Sequence, residues 1–117
     1  MIDFSRATKL KEVSFRLRNL AEVSIAMGLK TLTPDHRDLQ LISIRVSINH
    51  SLNDGQRAEE IRSRWMDLDC FLVQLRKSNE FRLWVIYSTE REKEWARECL
   101  ERLLPETTKR GIVELKS

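Results

Sequence analysis

The sequence predicts an α/β protein: about four parallel strands with helices on one face, arranged as a short solenoid. Three observations carry that prediction. The stretch Phe81-Arg82-Leu83-Trp84-Val85-Ile86-Tyr87 is a run of aromatic and β-branched residues between Ser78-Asn79 and Ser88-Thr89, the pattern of a buried strand. Its frame recurs. With Trp84/Ile86 as reference, the pairs Val13/Phe15, Ile42/Ile44 and Val113/Leu115 repeat the alternation at steps of 29, 42 and 29 residues (13 to 42, 42 to 84, 84 to 113). Segments with helical spacing separate the pairs, and strand–helix–strand units of this length call for right-handed crossovers and parallel pairing.

The first strand lies within residues 7–17, where Val13, Phe15 and Leu17 alternate with polar residues and define one buried face. Asn19 is a candidate N-cap, with Glu22 facing the free amides of the first turn. Ile25, Leu29 and Leu32 continue a helical stripe over about residues 20–31, which Gly28 weakens, and Thr33-Pro34-Asp35-His36 closes it as a turn. The second strand runs from Leu39 to Ile48, apolar at Ile42, Ile44, Val46 and Ile48, with Ser43, Arg45 and Ser47 on the other side. The polar residues 49–56, with an Asp-Gly turn signal, account for most of the longer middle step.

The longest helix covers about residues 58–77, where Ile61, Trp65, Leu68, Leu72 and Leu75 recur at spacings of four, three, four and three. Glu59, Arg62, Asp69 and Arg76 fall off that stripe. After the third strand, Thr89-Glu90-Arg91-Glu92 is a capping box opening a helix striped by Trp95, Ala96, Cys99, Leu100, Leu103 and Leu104. Pro105 stops it. A bridge from Glu106 to Arg110 leads through Gly111 into a last strand, Ile112-Val113-Glu114-Leu115.

The 117 residues suit one domain, with 41% hydrophobic and 33% charged residues. No run approaches the ~18 apolar residues of a membrane span and no signal-peptide core opens the chain, so the expected location is cytoplasmic or nuclear. Cys70 and Cys99 are expected as buried free thiols. The net charge is +3. Residues 1–57 hold nine Lys/Arg against six Asp/Glu, and 58–117 hold twelve of each. That excess permits nucleic-acid contact without arguing for it.

The frame Leu10-x-x-Val13-x-Phe15, Leu39-x-x-Ile42-x-Ile44, Phe81-x-x-Trp84-x-Ile86, with Arg110 leading the fourth copy, points to a leucine-rich-repeat-like solenoid; a simple open α/β sheet would alternate similarly. The segment from Trp65-Met66-Asp67-Leu68-Asp69 to Leu75, the strand after it, then Leu104-Pro105 and Lys109-Arg110-Gly111-Ile112-Val113-Glu114-Leu115 resemble the C-terminal end of fungal F-box proteins with degenerate leucine-rich repeats. The likeness covers about residues 60–117, and residues 7–46 through the strand frame alone. It implies that residues 1–117 are one leucine-rich-repeat-like domain, a fragment or truncated relative without the F-box. The implied role is a non-catalytic protein-interaction module, like the substrate-binding end of such an adaptor.

In that frame the alternate positions line the open sheet face, and Arg16, Arg45, Val85, Tyr87 and Lys116 are the candidate partner-binding residues. Such a row suits an acidic or phosphorylated segment of a protein partner. Leu83, Val85 and Tyr87 would make this face apolar at the third strand, covered either by residues 49–56 or by the partner. The competing class is a basic nucleic-acid-binding domain. Oligomeric state is left open.

No residues suggest catalysis or a cofactor. Asp67 and Asp69 diverge on a helix, and His36 and His50 sit in separate loops without further ligands at metal spacing. Gly28, Gly55 and Gly111 are scattered, and no serine lies in a nucleophile elbow. Trp65, Trp84 and Trp95 are expected to pack in the core.

Overall fold

The computed structural model describes residues 3–17, 22–46 and 58–117. Strands β1 (Glu12–Leu17), β2 (Leu41–Val46), β3 (Arg82–Ile86) and β4 (Val113–Lys116) form one parallel sheet in chain order. Every connection steps to the next strand in the same direction, so right-handed crossovers all fall on one side of the sheet. The burial follows. Val13, Phe15, Leu17, Ile42, Ile44, Leu83 and Val85 join the helical stripes in a single core, on the side of the sheet where the helices of the described residues pack. The architecture is thus an α/β fold with a four-stranded parallel sheet and helices.

The pairing register settles the phase of each strand. Val13 pairs with Ile42, Ile42 with Leu83 and Leu83 with Val113; one step on, Phe15, Ile44, Val85 and Leu115 align. The expected frame holds for β1, β2 and β4 and is wrong by one residue for β3. Leu83 and Val85 face the core, and Trp84 and Ile86, half-buried, face the open side. A one-residue slip moves every side chain of a strand to the other face. The true steps are therefore 29, 41 and 30 residues (13 to 42, 42 to 83, 83 to 113).

The connection after β1 is shorter in its α-helix than the stripe suggested. Helix α1 is Val23–Ala26 and continues as a 3-10 helix, Met27–Thr31. Val23, Ala26, Leu29 and Leu32 are buried at every third position, the repeat of a 3-10 helix rather than of an α-helix. Gly28 lowers the cost of leaving α geometry. Its carbonyl accepts from the Thr31 hydroxyl at 2.7 Å, and Thr31 Oγ1 in turn accepts from the Phe4 amide at 2.7 Å. The expected cap at Asn19 and the loop at 49–56 lie outside the described residues.

Helix α2 (Ala58–Arg76) buries the whole stripe Ile61, Trp65, Leu68, Leu72 and Leu75, each large side chain contributing about 1.5–3 kcal/mol of hydrophobic stabilisation. Helix α3 (Glu90–Leu103) begins as expected: Thr89 Oγ1 accepts from the Glu92 amide at 3.1 Å, with Glu90 and Glu92 at the positive end of its dipole. The expected bridge after it is a short helix, α4 (Pro105–Lys109), with Pro105 at its start, where a missing N–H costs nothing. Gly111, at φ 71°, turns the chain into β4, a conformation that favours glycine.

Two buried polar clusters hold these elements together. Asp69, expected off the α2 stripe, is buried, and its carboxylate accepts from the Glu106 amide (3.2 Å), the Thr107 amide (2.8 Å) and the Thr107 hydroxyl (2.6 Å). It acts as the N-terminal cap that α4 cannot make for itself. His36, fully buried, accepts from the Thr33 amide at Nδ1 (3.0 Å), so Nε2 carries the proton and donates to the Phe4 carbonyl at 2.7 Å. Asn79 donates to the carbonyls of His36 (2.9 Å) and Thr33 (3.3 Å), linking the end of α2 to the same turn.

Candidate functional site: the open face of the sheet

Four strands present their alternate residues to the side away from the helices. In register across the sheet stand Ser14, Ser43, Trp84 and Glu114, and one step further Arg16, Arg45, Ile86 and Lys116. Neighbouring strands lie about 4.8 Å apart, so each row is a line of adjacent side chains. Arg16, Arg45 and Lys116 stand on the open face as expected. Val85 and Tyr87 do not, and their assignment to it is corrected. Val85 is buried between Ile44 and Leu115, and Tyr87 has the same phase, with Lys93 of α3 lying 5.7 Å from its ring centre.

The apolar surface on this face is instead Trp84 and Ile86. Of the three tryptophans, Trp65 is in the core, Trp95 is half-buried, and Trp84 lies on the sheet. Lys116 Nζ stands 5.3 Å from the Trp84 ring centre, a cation–π arrangement. Beside the indole, Ser43 is buried and shares a 2.8 Å hydrogen bond with Ser14. The Trp84 Nε1 atom is shielded from solvent and has no hydrogen-bond partner among the described residues. Its donor is left unsatisfied at the centre of the surface, an arrangement that costs free energy.

Charge on the face is mostly positive. Arg16, Arg45, Arg82 and Lys116 stand against Glu12 and Glu114. Glu114 is shared, 3.4 Å from Lys116 and 4.0 Å from Arg82. Arg45 donates to the Ser88 hydroxyl, and Arg16 has no partner among the described residues. Arg16 and Arg45 pair directly across β1 and β2, and like charges so placed repel. The arrangement can receive carboxylate groups on either side of a flat aromatic.

The remaining candidates fare differently. The cysteines are free. Cys70 is exposed rather than buried, and Cys99 is half-buried. Burial raises the Cys99 thiol from 9.0 to about 11. That thiol lines an apolar cleft with Trp65, Trp95 and Leu100 whose volume is about 30 Å³, room for no more than about two water-sized groups. Among the described residues no group of three His, Cys, Asp or Glu side chains is placed to hold a metal ion, and no helix is long and apolar enough to cross a membrane. Compared with protein-family models, with curated proteins and with solved structures, the chain gives no match.

Proposed function

We propose that this protein is a non-catalytic interaction module that binds an acidic, extended segment of a partner protein across the open face of its sheet. The observation that carries the reading is that the core and the helices of the described residues lie on one side of the sheet, so that none of those helices covers the other. All-parallel sheets normally have both faces covered by helices; the recurring exception is the solenoid, whose open face is a binding surface. The sequential strand order and the helices on one side support a short leucine-rich-repeat-like solenoid, and the resemblance to the C-terminal end of F-box adaptors points to the same role. On this face Arg16, Arg45 and Lys116 take carboxylates while Trp84 and Ile86 supply apolar contact.

Titration of a Glu/Asp-rich peptide into the protein and into an Arg16→Glu/Arg45→Glu variant tests this. Loss of two charge-assisted contacts lowers affinity about tenfold or more, with the melting temperature nearly unchanged. Equal affinity for both proteins removes the face from consideration. A single-stranded oligonucleotide serves as the competing ligand: if it binds more tightly, with affinity falling steeply as salt rises, the domain is a nucleic-acid binder instead.

A further inference from the structure

A second group of cations collects where the end of α2 meets the turn into β4. Val73, Arg76, Lys77, Arg110 and Ile112 line an open recess of about 290 Å³. Its three charged residues are all cations. Arg110 has one counter-ion, Glu106, at 3.6 Å, and neither Arg76 nor Lys77 has an ion pair among the described residues. The Arg76 Nε atom is shielded from solvent yet has no hydrogen-bond partner among the described residues.

The end of α2 does not by itself explain this. Cations near a helix C-terminus satisfy its dipole. Here, however, the Gln74 carbonyl already accepts from the Lys77 amide (3.2 Å) and the Leu75 carbonyl from the Ser78 and Asn79 amides (both 3.0 Å). Nor does the dipole call for Arg110, which arrives from a different element. It is set there by the Gly111 turn, whose positive φ brings the chain back so that Arg110 and Ile112 both border the recess.

We propose that this recess binds a phosphate monoester. The lining leaves two positive charges uncompensated once Glu106 is set against Arg110, and a phosphate monoester carries about −1.5 to −2 near neutral pH with three acceptor oxygens. A carboxylate would leave charge over. Two guanidinium groups and an ammonium group offer the donor geometry that phosphate oxygens accept. Val73 and Ile112 form an apolar wall for the carbon group that carries the phosphate. The volume, several times the ~30 Å³ share of a water molecule in the liquid, admits the ester with part of that group.

Calorimetric titration with inorganic phosphate, ribose 5-phosphate and O-phosphoserine tests the assignment on the intact chain. Binding is expected for at least one ester more tightly than for inorganic phosphate. An ester preference for ribose 5-phosphate marks a small-molecule ligand, and a preference for O-phosphoserine marks a phosphorylated protein. Arg76→Gln is expected to weaken that binding about tenfold, and the more exposed Lys77→Gln/Arg110→Gln pair provides the same test without touching a partly buried side chain. The Arg16→Glu/Arg45→Glu variant keeps its phosphate affinity, so failure of the sheet-face reading leaves this one standing. Absence of binding, inorganic phosphate binding as tightly as both esters, or affinity unchanged in both recess variants overturns it.

Discussion

Asp69 replaced by Ala leaves the amides of Glu106 and Thr107 without an acceptor, and leaves the Thr107 hydroxyl with the backbone carbonyl of residue 69 alone, at 3.5 Å. Thr107 is fully buried, so water cannot take over its share. The expected loss is about 3 kcal/mol in urea unfolding, with α4 as the first element to exchange its amide protons. The two cysteines give a second check at this scale. Cys70 is exposed, whereas burial holds the Cys99 thiol up at about 11 and so in its unreactive protonated form at pH 8. One equivalent of a thiol reagent therefore adds quickly and the second slowly, and Cys70→Ser abolishes the fast phase. The same shift has a linkage consequence. The unfolded thiol, at 9.0, loses its proton before the folded one, so Cys99 contributes stability in full below pH 9 and that contribution fades as pH rises to about 11.

At the scale of elements, β3 is where face and core are assigned. Val85→Ala removes methyl groups from a buried position and is expected to cost about 2 kcal/mol, while Ile86→Ala, half-buried on the open face, costs less than about 1 kcal/mol. Reversed magnitudes in chemical denaturation would restore the alternate frame. The reason sequence misjudged this strand is physical. In β1 and β2 polar residues such as Ser14, Arg16, Ser43 and Arg45 mark the outward phase, but from Leu83 to Tyr87 every residue is apolar or aromatic, so alternation carries no phase. The α2 stripe and the Thr89 cap were legible because both are local patterns, complete within a few turns. The hydrogen bonds of Asp69 to α4 and of His36 to Phe4 were not, because they join residues 38 and 32 positions apart. The period of three at Val23, Ala26, Leu29 and Leu32 was present in the sequence, and could have been set against the 3.6 repeat.

At the scale of the whole molecule, one asymmetry organises the account. Stepping each strand to the same side puts the helices of the described residues on one face and leaves Trp84, Ile86 and the surrounding cations on the other. The basic excess of the first 57 residues is visible in the sequence, but its placement needed the register, which brings Arg16 and Arg45 alongside Lys116 from the far end of the chain. The phosphate recess needed the Gly111 turn in the same way. Charge counts show sign, and topology shows where that sign collects.

Trp84 reports on the proposed surface directly, because its indole N–H stands apart from the backbone amides in such a spectrum and has no hydrogen-bond partner among the described residues. In a nitrogen–proton NMR titration with the Glu/Asp-rich peptide, the Trp84 indole signal is expected to move together with the backbone amides of Arg16, Arg45 and Lys116, while the indoles of Trp65 and Trp95 stay in place. A titration that saturates with the Trp84 signal unmoved, or that shifts residues of the helical side instead, would contradict the assignment of the open sheet face as the binding surface.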